Sequence, residues 1–167
     1  MGKLKKLYLI GGTMGVGKTT VGQKLKIKLP NSVFLDGDWC WDASPFQVTG
    51  ETKDMVMDNI CYLLSSFVHC SAYENIIFCW VMHEQSIIDT IIERTDVTSC
   101  EVKVISLIGS QETLTERILV DIKSGIRKDD VLDRSIARIP LYQNLNSIKI
   151  ETDGKTVRAI VDEISAL

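Results

Sequence analysis

The chain has no C-x-x-C pair, and its five cysteines (Cys40, Cys61, Cys70, Cys79 and Cys100) are odd in number. That spacing suggests neither a disulfide framework nor a zinc site, so they are expected as reduced thiols. Long apolar runs are missing as well. The run near the N-terminus breaks at Gly11-Gly12, too soon for a signal-peptide core, and no later stretch would span a bilayer. A cytoplasmic protein without a membrane partner is expected. Neither sign of charge dominates: 19 basic against 22 acidic residues leave -3, which gives no sign of a nucleic-acid partner. Repeats, low-complexity tracts and linkers are absent too, so the 167 residues suit one domain, 1–167.

What remains is an alternation of short apolar runs and helical stripes. Candidate strands are 7–10, 33–35, 75–80, 101–108 and 147–150, mostly continuous apolar segments of the kind buried in parallel sheets. Between them, stripes such as Val56, Ile60, Leu64 and Phe67, or Val157, Ile160, Val161 and Ile164, recur at helical spacing. The pattern predicts an α/β fold, a three-layer α/β/α sandwich around a mostly parallel five-stranded sheet. Pro140 is expected to kink or break a helix running from Asp133 to Leu145.

The first strand runs into Gly12-Thr13-Met14-Gly15-Val16-Gly17-Lys18-Thr19, which matches the P-loop pattern G-x-x-x-x-G-K-[ST]. Val21, Leu25 and Leu29 then continue at helical spacing, so the strand, glycine loop and helix stand in the required order. Glycines let successive N–H groups turn inward on phosphate oxygens, helped by the positive end of the helix. Lys18 would reach the β- and γ-phosphates, and the Thr19 hydroxyl would ligate a bridging Mg²⁺. Thr20 completes the set of expected nucleotide contacts.

A second motif follows: Val33-Phe34-Leu35 leads into Asp36-Gly37-Asp38, two carboxylates at the carboxyl end of a strand, where open α/β sheets gather ligands. Asp36 is assigned to the metal side and Asp38 to the base that takes a proton from an attacking hydroxyl. A turn with a helix N-cap would use the same residues.

A P-loop followed by a strand and D-x-D resembles the small-molecule kinases of the nucleotide-kinase, shikimate-kinase, gluconate-kinase and chloramphenicol-phosphotransferase kind. That resemblance covers most of the chain and implies a P-loop NTPase fold using ATP and Mg²⁺. It also implies an arginine-bearing helix followed by a short mobile lid. Arg117, and then residues 123–134 containing Arg127, are similar to these parts, with Arg117 touching nucleotide and Arg127 closing on the transferring phosphoryl group. Asp121 departs from the pattern, standing where many relatives carry another arginine. Arg134 and Arg138 follow four residues apart, and these arginines either serve the lid or merely pair with Asp121, Asp130 and Asp133 on a solvated helix.

From Asp36 to Glu84, eight acids against Lys53 leave the acceptor side at -7, so the rest of the chain carries +4. No arginine is present there to grip an anion, which favours a neutral or cationic hydroxylated acceptor. Trp39, Trp41, Phe46 and Trp80 would supply an apolar or stacking wall. His83 is a candidate for orienting a substrate hydroxyl, whereas His69 reads as a surface residue.

The expected function is transfer of the γ-phosphoryl group of ATP to a small acceptor, by a monomer or homodimer. The alternatives are a nucleoside monophosphate or shikimate/gluconate-like kinase, or nucleotide binding without turnover. A switch or motor ATPase is disfavoured, because D-x-x-G, N-K-x-D and a strand ending in Asp-Glu are all missing.

Overall fold

The computed structural model describes residues 4–167. Strand β1 (Lys5–Gly11) leads into helix α1 (Lys18–Lys28), β2 (Ser32–Asp36) and a single 3₁₀ turn (Gly37–Cys40). Then come α2 (Gly50–His69), β3 (Asn75–Cys79), α3 (Gln85–Arg94), β4 (Cys100–Ile108) and α4 (Gln111–Lys123). Helix α5 (Val131–Gln143), β5 (Ile148–Glu151) and α6 (Val157–Ser165) finish the chain. The strands form one sheet in the order β2-β3-β1-β4-β5, with every pair parallel. Because β1 is central, the loop that follows it sits at the middle of the carboxyl edge.

The continuous apolar runs are explained by burial on both sides. Leu7 and Leu9 of β1 face one core with Ile60, Leu64, Ile88 and Ile91 of α2 and α3. Tyr8 and Ile10 face the other, with Leu25 of α1, Leu114 of α4 and Ile160 and Ile164 of α6. This is the expected three-layer sandwich. Each such fully buried side chain contributes about 1.5–3 kcal/mol, so the central strand is anchored from both faces. No helix among the described residues is long and apolar enough to cross a membrane.

Of the kink or break expected at Pro140, the break does not occur: α5 continues through Pro140 to Gln143. Proline removes one backbone bond near the end of α5, while Tyr142, buried two residues further on, holds the last turn against the core. Of the segment expected as a lid, residue 123 belongs to α4 and 131–134 to α5, so the connection outside the helices spans 124–130.

Candidate active site

At Gly15 the backbone adopts φ +84°, and a Cβ there would lie 2.7 Å from Ile118 Cγ1 of α4. Only glycine takes both the conformation and the contact, which lets the loop curl against α4. The loop borders a cavity of about 480 Å³ together with Asp36, Asp38, Trp80, Arg117, Asp121, Arg127 and Lys155. Met14 through Thr20 all line it, whereas Gly12 and Thr13 do not. Gly12 packs toward Val16 and Leu107, and the Thr13 side chain is buried on the far side of the loop.

Thr19 Oγ1 donates to Asp36 Oδ2 at 2.7 Å, and the Asp38 backbone N–H donates to Asp36 Oδ1 at 3.0 Å. Asp36 therefore caps the 3₁₀ turn while holding the Thr19 hydroxyl, so the cap and the site are built from the same carboxylate. Among the described residues no three acidic, histidine or cysteine side chains converge to cage a metal. Mg²⁺ requires no cage, since it keeps waters and takes phosphate oxygens; the hard oxygen set of Thr19 and Asp36 fits such an ion.

Lys18 Nζ donates to the Thr13 carbonyl at 3.0 Å. Burial pushes its pKa down to about 8, opposed by Cys79, Asp38 and Asp36. An ammonium whose charge is desolvated is primed to donate to phosphate oxygens. Asp38 is shifted upward, first by burial and then by the neighbouring Asp36, against the pull of Lys18, the Trp80 indole and Arg127. Its side chain remains open to the cleft. Trp80 reaches this position because Gly37 leaves room: a Cβ on Gly37 would sit 2.4 Å from Trp80 Cγ.

Arg117 donates to the Val16 carbonyl at 3.3 Å, and Arg127 Nε donates to Asp121 Oδ2 at 2.7 Å. Asp121, the residue that departs from the expected pattern, thus holds the arginine of the 124–130 connection at the cleft wall. Arg134 instead pairs on the surface with Asp130, at 3.0 Å. His69 is exposed and bonded to Asp96, as a surface residue. His83 lies outside the cavity lining, with its Nε2 3.3 Å from Glu84 Oε1 and its Nδ1 buried without a partner. Its pKa is lowered by burial and by nearby Arg138. Trp39 stands exposed with its ring edge-on to Phe34, and Trp41 stacks on Phe46.

A loop, a strand end and a helix pair converging on one cleft can be set beside known proteins. The AAA domain family matches residues 9–136, from β1 into α5. The chain belongs to that family. A shikimate kinase of Francisella tularensis subsp. holarctica is 29% identical over 180 residues, covering 98% of this chain and 94% of the relative. A gluconokinase from Sinorhizobium meliloti superposes with a TM-score of 0.69 at 18% identity, over 99% of this chain and 92% of that one. The tunicamycin resistance protein of Deinococcus radiodurans reaches 0.74 at 16% identity, over 97% and 94%. Together these make the chain a P-loop small-molecule kinase, an ATP-dependent phosphotransferase.

In this kinase two features lay outside local pattern. Ser135 of α5 touches the P-loop across more than a hundred residues of sequence, and Lys155, from the β5–α6 loop, lines the cleft. Neither carries a motif; only the packing of α5 and α6 against the carboxyl edge reveals them.

Proposed function

We propose that the protein moves the γ-phosphoryl group of ATP to a hydroxyl of a small anionic acceptor. The observation that carries this reading is the convergence of Lys18, Thr19, Asp36, Asp38, Arg117 and Arg127 on one cleft from separate elements. Lys18 and the P-loop amides hold the phosphates, and Arg117 and Arg127 offset charge on the transferring group. Thr19, and Asp36 through water, would hold Mg²⁺, which supplies further neutralisation of the β- and γ-phosphates. Asp38 takes the acceptor's proton as its oxygen bonds to phosphorus and the bond to the ADP oxygen breaks. The upward shift of Asp38 strengthens it as a base.

The acceptor's charge is where tertiary structure adds to the arithmetic of the sequence. Of the acids between Asp36 and Glu84, only Asp36 and Asp38 line the cleft, and Asp58 is paired with Arg94. Cations outnumber acids on the cleft wall, with Lys18, Arg117, Arg127 and Lys155 facing Asp36, Asp38 and Asp121. Arg138 comes close to His83 beyond the end of β3, and among the described residues it enters no ion pair. In this reading Arg138, which does not line the cavity, would meet an acceptor carboxylate extending past the end of β3. The shikimate kinase relatives agree in character. A neutral or cationic acceptor is the second reading, favoured by Trp80 on the cleft wall and the exposed Trp39.

The two readings separate in an assay with pooled hydroxy acids, sugars, nucleoside monophosphates and hydroxylated amines, with products detected by mass. An anionic product whose acceptor KM rises at least about tenfold in Arg138→Ala supports the first reading. A neutral or cationic product made equally well by Arg138→Ala supports the second.

A further inference from the structure

Ser135 is fully buried in α5, yet it faces the phosphate-binding loop and not the apolar core. Its Oγ donates to the Met14 carbonyl at 2.7 Å. Thr13, also buried, directs its hydroxyl at the Ser135 carbonyl at 2.9 Å and the Ser135 Oγ at 3.0 Å. With the Ser135 proton committed to Met14, the Thr13 hydroxyl is left as donor to Ser135, and every polar group of the knot is satisfied. Lys18 then rests on the carbonyl of the same Thr13, 3.0 Å away.

A peptide unit is planar and trans, so its C=O and the following N–H point in opposite directions. The Met14 carbonyl is drawn to a buried serine behind the loop, while Gly15 lines the cleft in front of it. That peptide therefore presents the Gly15 N–H toward the nucleotide site and keeps a carbonyl dipole away from it. Glycine at position 15 would otherwise permit the opposite orientation at little cost, which would aim a carbonyl at phosphate.

We infer that Ser135 is a positioning residue for phosphoryl transfer: through Met14 and Thr13 it fixes the peptide orientation of the P-loop for a triphosphate. The inference rests on the reading of this cleft as the ATP site. It ties that site to α5, the helix that also starts at the end of the arginine-bearing connection and carries Arg138. Loop orientation and lid anchorage thus share one helix.

The test compares ATP with adenosine, which lacks phosphates, by calorimetric titration of wild-type protein, Ser135→Ala, Thr13→Val and Thr13→Ser. A general loss of packing would weaken both ligands alike, whereas a loss of loop orientation weakens ATP alone. In Ser135→Ala the Kd for ATP is expected to rise about tenfold, the usual consequence of a buried carbonyl losing its donor, with adenosine changed less than about twofold. Thr13→Val, close to isosteric, should show the same selective loss and covers the case in which Ser135→Ala fails to fold; Thr13→Ser should restore ATP binding. Equal losses for both ligands, or unchanged ATP binding in folded Ser135→Ala and Thr13→Val, would overturn the inference. Failure of wild-type protein to bind ATP would instead overturn the nucleotide reading on which it stands.

Discussion

Lys18 and Asp38 are opposite charges facing one cleft, and burial pushes each toward its neutral form. For Lys18 the consequence is a pH dependence of nucleotide binding. Its pKa of about 8 lies below its unfolded value, and bound phosphate favours the charged form, so ATP affinity should fall as pH rises through about 8. Titrations across that range should show the fall in wild-type protein and a flat, weaker profile in Lys18→Ala; a flat wild-type profile would remove Lys18 as a phosphate ligand. For Asp38 the sign is reversed. A carboxyl whose folded pKa is raised stabilises the fold below its unfolded pKa, and that contribution is lost as pH rises through the folded value. Asp38→Asn is therefore expected to lower kcat by about 10²–10⁴-fold while raising Tm at neutral pH, a gain that shrinks toward about pH 4. Loss of activity with no gain in Tm would contradict the assignment of burial and Asp36 repulsion as the cause of the shift.

At the scale of elements, the connection from α4 to α5 is the segment that would close the cleft on the proposed function. Its residues 124–130 are too few to form a separate lid domain, so on the proposed function closure would be a short swing about the ends of two helices. Arg127, held by Asp121 at 2.7 Å, would move with it. Arg127→Met should lower kcat by at least about 10²-fold and alter the KM for ATP far less, as expected for a charge that acts mainly on the transition state. Equal changes in both constants would place Arg127 in ground-state nucleotide binding instead. The elements that bear the P-loop and the Asp36–Asp38 pair were legible from sequence because their signals are local. An apolar strand, a glycine pattern and a helical stripe lie within a few residues of one another, and β1 and α1 form where those signals place them. At Pro140 local pattern does not decide between a kink and a break, since whether the helix runs on depends on packing such as that of the buried Tyr142.

Over the whole molecule, what the sequence left hidden is what the parallel sheet brings together. Ser135 has no motif and gains meaning only where α5 crosses behind the loop. The charge summed over the 36–84 segment is not the charge of the cleft: of those acids only Asp36 and Asp38 line it, and Arg138, from outside the segment, lies near His83. Electrostatic character belongs to a surface in space, and a stretch of chain approximates it only when its side chains face one way. The five parallel strands, buried on both faces, make the carboxyl edge a rigid platform on which these distant residues meet. The most direct test of this account is transfer of phosphate from ATP, followed by product mass, in wild-type protein, Lys18→Ala and Asp38→Asn supplied with Mg²⁺ and a pool of small hydroxy acids. A phosphorylated hydroxy acid formed by wild-type protein and lost in both variants is the predicted result. Bound ATP with no phosphorylated product, or a product formed equally by Asp38→Asn, would contradict it.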